Sequence, residues 1–91
     1  MGKNKVTPYN DLEHNDVYII REFDQNIDPK ELMWHRDDEE RLIETLEPTN
    51  WLIQFENKLP VLLNTPIFIP KHAWHRVIKR HGKLKIKIYK Y

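Results

Sequence analysis

Apolar and polar positions along this chain change over with a short period. Val17 to Phe23 is rich in β-branched and aromatic residues and stops at Asp24-Gln25-Asn26, the pattern of a strand closed by a turn. From Glu31 to Asp37 the alternation places Met33, His35 and Asp37 on one face, with Leu32, Trp34 and Arg36 on the other. Glu40 to Glu47 contains good helix formers, but it is short and lies between strand-like runs. It is therefore read as a strand ended by Pro48-Thr49-Asn50. Trp51 to Glu56 and Leu59 to Leu63 flank Asn57-Lys58 as a hairpin, and large apolar groups on both faces leave its buried side open. Pro66 to Pro70 is a further strand, bounded by residues that cannot donate to a ladder.

The last segment predicts a second hairpin. With His81-Gly82 as a two-residue turn, Val77 faces Ile86 and His75 faces Ile88, so His75 shares the core face with Leu84, Ile86 and Ile88. Arg76 and Ile78 then lie outside beside Lys85 and Lys87. About eight short strands at spacings near ten residues, with no convincing helix, predict an all-β sandwich or barrel. In so little chain, a small closed barrel leaves the fewest edges. Residues 1–16 are polar and without a period and are expected to form a loosely attached arm, ahead of one domain over residues 17–91.

At 91 residues the chain has room for one modest core, so any chemistry lies within that core or on its rim. The absence of cysteine excludes disulfides, thiolate zinc sites and cysteine nucleophiles. There is no serine and there are only two glycines, Gly2 and Gly82, which argues against a hydroxyl triad and a glycine-rich phosphate loop. No apolar run approaches the ~20 residues of a membrane helix, and the N-terminus lacks a signal-like core, so a cytoplasmic protein without a membrane association is expected. Charge is uneven. Residues 22–56 carry 11 acidic and 3 basic residues, while 71–91 carry 8 basic residues and no acidic one. Lysines alternating with isoleucines are better read as the wet face of a strand beside the acidic segment than as a nucleic-acid surface.

Asn64 to Lys79 resembles the second sequence motif of the cupin family, a glycine, five residues, a proline, a three-residue loop and an inward histidine. Pro70 and His75 stand at the proline and histidine positions, Asn64 at the glycine, and His72 at a second loop glycine. The first cupin motif has two histidines separated by one residue, then a glutamate and a glycine. His35 matches the first histidine and Asp37 replaces the second, while Arg41 falls at the glutamate position with Glu40 beside it. The resemblance covers residues 28–91, about two thirds of the chain.

It implies a double-stranded β-helix barrel of about eight short strands, often dimeric, commonly with a central divalent metal. His35, Asp37 and His75 also match the ligand set of non-haem iron(II) oxygenases on related barrels. On this reading they hold iron, manganese, nickel or zinc, with Arg41, Glu40 and His72 positioned for an anionic small molecule. The activity expected is that of an oxygenase or an isomerase. The alternative is a non-catalytic interaction module without a metal, in which Asp37 merely pairs with His35 or Arg41 and the histidines are core residues. Trp34 and Trp74 each precede an inward histidine, so both are expected to face outward, where they suit a homodimer surface better than stacking on bases. His14 and His81 read as surface residues.

Overall fold

A computed structural model describes residues 9–29 and 32–90. Residues 1–8 of the expected arm, Lys30, Glu31 and Tyr91 lie outside the described residues. The described residues form eight strands: β1 (Tyr9–His14), β2 (Tyr18–Phe23), β3 (Arg41–Thr45), β4 (Leu52–Phe55), β5 (Val61–Leu62), β6 (Ile67–Ile69), β7 (His75–Ile78) and β8 (Leu84–Lys90). The expected all-β architecture is present as two antiparallel sheets, one ordered β1-β2-β8-β3-β6 and one ordered β5-β4-β7.

Period-two patterning decides what each sheet buries. On β8 Leu84, Ile86 and Ile88 turn into the core, while Lys85 and Lys87 turn out. Ile19 and Phe23 of β2, Ile43 of β3 and Ile69 of β6 join them from the same sheet. Ile53 of β4 comes from the other sheet, with Val77 of β7 packed against it, so both sheets share one core. The outward lysines do meet acidic neighbours, as the charge distribution suggested. Lys85 lies opposite Glu22 and Lys87 opposite Glu44 in the ladders that flank β8. Lys83 reaches Glu22 at 3.3 Å.

Three expectations change. Tyr9–His14 is a strand of the sheet, pairing with β2 from Tyr9 opposite Phe23 to His14 opposite Ile19. Most of its side chains are exposed, so backbone pairing rather than burial holds it, and an edge strand of that kind carries no apolar period. The hairpin of β7 with β8 does not form. β7 pairs with β4, with Phe55 opposite His75 and Ile53 opposite Val77, while β8 sits between β2 and β3 in the other sheet. His75 and Val77 still face Leu84, Ile86 and Ile88, but across the core instead of along one ladder. Finally, β4 pairs with β5 one residue out of the expected register, Ile53 opposite Val61, because Lys58 donates to the Phe55 carbonyl across a turn with Asn57 at φ 62°.

Gly82 follows β7 at φ +73°, and a Cβ placed there meets nothing within 4 Å. Gly82→Ala is expected to cost about 1 kcal/mol through backbone strain alone, read as a shift in urea midpoint with an unchanged slope.

Candidate metal centre

The segment from Leu32 to Asp37 is not a regular strand. It meets the sheets through a single antiparallel bridge, His35 to His75, with hydrogen bonds of 3.0 and 2.9 Å. A further bond runs from the His72 amide to the Asp37 carbonyl at 2.8 Å. The bridge joins the two copies of the Trp-His-Arg tripeptide about a local pseudo-twofold axis. On the inner side the two imidazoles come together, with ring centroids 4.2 Å apart. On the outer side each tryptophan meets the other copy's arginine, with Arg76 4.8 Å from the Trp34 ring and Arg36 5.2 Å from the Trp74 ring. Trp34 and Trp74 are 40% and 39% exposed, in keeping with their expected outward direction. A double-mutant cycle on Trp34→Ala and Arg76→Ala is expected to give a coupling of about 0.5–1 kcal/mol in urea unfolding.

His35, Asp37 and His75 each offer a ligand atom, and these atoms all lie within 4.8 Å of one another. Backbone carbonyls set both tautomers. His75 Nδ1 lies 2.8 Å from the Ala73 oxygen and His35 Nδ1 lies 3.1 Å from the Met33 oxygen. A carbonyl only accepts, so both Nδ1 atoms donate, and in the neutral rings Nε2 is left with a bare lone pair.

His75 is 3% exposed. Burial pushes its pKa below the ordinary histidine value and the His35 ring reinforces that; the Ala73 hydrogen bond opposes it. The neutral His75 Nε2 then faces Asp37 Oδ2 at 3.5 Å, and that oxygen is buried with no hydrogen-bond partner. A neutral imidazole nitrogen and a carboxylate oxygen are both acceptors, so this contact makes no hydrogen bond of its own. A cation resolves that arrangement, and two imidazole nitrogens with one carboxylate oxygen form a donor set that suits a divalent transition metal.

The pH response of the metal-free protein follows from the lowered His75 pKa. The unfolded chain takes up this proton near pH ~6.5, and the folded chain only below that. Stability from this group is full above about 6.5 and is lost as pH falls toward the lowered native value. Urea midpoints measured downward from pH 7.5 are expected to show this loss in the wild type and not in His75→Gln.

The residues expected to serve a small molecule divide. Arg41 lines the same cavity as the three ligand candidates, with Nη1 3.4 Å from Asp37 and Nη2 3.5 Å from Glu39. Its Nε is buried without a partner. Glu40 and His72 are not brought there: both are exposed and neither lines the cavity. Glu40 precedes β3 on the outward side, and His72 instead reaches Asp38 at 3.3 Å. His72 does take the left-handed conformation, at φ 66°, that suits the loop glycine it replaces, whereas Asn64 is not among the positive-φ residues. The cavity has a volume of about 350 Å³, with walls supplied chiefly by apolar residues of both sheets.

One cavity residue escaped the sequence reading. Arg21 occupies an inward position of β2, between Ile19 and Phe23, and lines the cavity as well. The signal was available, since a charged residue between two core positions of a strand must either be paired or serve a ligand.

Neither a family model nor a curated protein matches the chain. Solved structures do. Hydroxypropylphosphonic acid epoxidase from S. wedmorenis aligns with TM-score 0.67 at 18% identity, over 91% of this chain and 49% of that one. A DMSP lyase structure aligns with TM-score 0.66 at 16% identity, over 81% of this chain and 37% of that one. The chain thus spans between about a third and a half of the length of these two proteins. A cupin domain from Bordetella pertussis Tohama I matches nearly end to end, 97% of this chain and 99% of that one, with TM-score 0.57 at 13% identity. Eight strands in two antiparallel sheets, aligned over nearly their whole length with a cupin domain of the same size, show that this chain has the cupin fold.

Proposed function

We propose that the chain is a small metal-binding protein in which His35, Asp37 and His75 hold one divalent ion, iron, manganese, nickel or zinc, and which acts on an anionic small molecule as an oxygenase or isomerase. The observation that carries this reading is that His35, Asp37 and His75 bring their ligand atoms within 4.8 Å of one another, with His75 Nε2 3.5 Å from a buried Asp37 Oδ2 that has no hydrogen-bond partner. Two further solved structures, of HppE with Fe(II) and with Co(II), to which this chain is similar at TM-scores of 0.67 and 0.66 and 15% and 17% identity, support it. A divalent ion with three protein ligands supplies a Lewis-acidic centre that keeps coordination positions for a small molecule.

The chain's own residues provide the rest. The Ala73 and Met33 carbonyls hold the imidazoles in the ligating tautomer. Arg41 braces Asp37 and brings a positive charge to the cavity wall for an anionic group. Ile43, Ile53, Ile69 and Val77 exclude water from the apolar part of the cavity. Titration of metal-stripped protein under anaerobic conditions with Fe(II), Mn(II), Ni(II) and Zn(II) in turn is the test. One equivalent of at least one ion retained after desalting is expected, and retention of none contradicts the reading.

The second reading is an interaction module, and one feature favours it. Trp34, Trp74 and Leu59, the last 86% exposed, border an outer groove of about 520 Å³ together with Gln54, Glu56, Asn57 and Lys58. On this reading a homodimer forms there. Trp74→Ala then changes the sedimentation coefficient while His35→Ala does not, and an unchanged monomeric value for the wild type and Trp74→Ala contradicts it.

A further inference from the structure

Arg21 carries a charge at a half-buried, inward position of β2 where the strand pattern calls for an apolar side chain. It lies opposite Ile86 of β8, whose other neighbour is Thr45 of β3. Its guanidinium is held from two sides. Nε donates to Asp11 Oδ1 at 2.7 Å and Nη2 to Asp11 Oδ2 at 3.2 Å, a bidentate pair, and the Tyr9 ring centroid lies 3.7 Å from Cζ. Such a clamp removes the rotamer freedom that an arginine otherwise loses when it binds an anion. Asp11 takes Nε and Nη2, which leaves Nη1 for a ligand in the cavity that Arg21 lines.

Position and charge define that ligand. Arg41, braced against Asp37, stands four residues along β3 from the Thr45 level of Arg21, about 13 Å at the rise of an extended strand. The Arg21 end and the His35, Asp37 and His75 end are therefore separate parts of one cavity, with Phe23, Ile43, Ile86 and Ile88 among its apolar lining. Of the groups that line the cavity, Arg21 and Arg41 are cationic and Asp37 is the one carboxylate, so the lining carries a net positive charge that an anion complements. A divalent ion at the His35, Asp37 and His75 end adds to that positive charge.

We propose that Arg21 is a second anchor in the cavity and that the ligand is bifunctional. It is a small molecule with an apolar body, an anionic group at Arg21 and an oxygen donor at the His35, Asp37 and His75 cluster. The proposal rests on the metal reading above and adds the class of molecule.

The test uses metal-loaded protein and calorimetric titration with linear dicarboxylates from succinate to pimelate, with hexanoate as the singly charged comparison. At least one dicarboxylate is expected to bind about tenfold or more tightly than hexanoate, the size of one charge-assisted hydrogen-bonded contact. Arg21→Gln is expected to lose that advantage while keeping wild-type metal uptake, and Arg21→Lys to recover part of it. Metal uptake with no dicarboxylate preference in the wild type overturns this inference alone, as does a preference that survives in Arg21→Gln. Absence of metal uptake overturns the metal reading and this inference with it.

Discussion

His75→Ala is expected to abolish metal retention, with affinity falling by more than the roughly 10–100-fold that loss of a supporting residue around a metal typically costs. The imidazole is the only one of the three ligand groups fixed within a regular strand, on β7, and the only fully buried one. Its loss takes away the nitrogen that faces Asp37 Oδ2, leaving one exposed imidazole and one carboxylate, too few donors to hold a transition metal against water. The bridge to His35 is made by backbone atoms, so it persists in the variant and the fold is retained. His75→Gln separates ligand loss from cavity formation. It fills most of the volume, and it is expected to lose the metal equally while giving a near wild-type urea midpoint at neutral pH. Metal content after desalting, with far-UV circular dichroism on the same samples, checks both variants.

The largest effect on stability is expected at Trp51. This side chain is fully buried just before β4, with its ring 5.9 Å from that of Phe23 on β2. Its Nε1 donates to the His81 and Gly82 carbonyls at 3.2 and 3.0 Å, tying the turn between β7 and β8 to the core. Trp51→Ala removes the largest buried side chain and releases that turn, at a cost of about 3–5 kcal/mol. Against a domain stability of roughly 5–15 kcal/mol, with a chain of this size near the lower end, that is enough to leave a large unfolded fraction at 37 °C. Trp51→Phe keeps most of the apolar contact and loses only the donor. Both carbonyls belong to exposed turn residues that water can serve, so the cost is expected at about 1 kcal/mol. Urea unfolding followed by circular dichroism measures both.

The strands that read most clearly from the sequence were those whose side chains divide between core and water. In β8, Leu84-Lys85-Ile86-Lys87-Ile88 shows that division directly, and β6 is marked by Pro66 and Pro70 at its ends. β1 was not legible because an exposed edge strand is held by its backbone, and Asp11, Glu13 and His14 give no apolar signal. Partner choice was the other loss. His81-Gly82 is a sound local turn signal, yet β7 and β8 belong to different sheets, and pairings such as Phe55 with His75 depend on contacts remote in sequence.

Spacing alone placed His35 and Asp37 on one face, and the cluster they form with His75 exists. The inward direction of His75, inferred from a hairpin that does not form, follows in fact from its pairing on β4. Glu40 and His72 were drawn in by motif position, which says nothing about side-chain direction. Arg21 was passed over because charged strand residues usually face water.

The central claim is that three side chains from a lightly tethered segment and one strand hold a single ion. X-ray absorption on protein loaded with one equivalent of metal tests it most directly. Two imidazole nitrogens and one carboxylate oxygen at about 2.0–2.2 Å are predicted, with the imidazole scattering reduced in His35→Ala. A shell of water and carboxylate oxygens with no imidazole contribution in the wild type would contradict it.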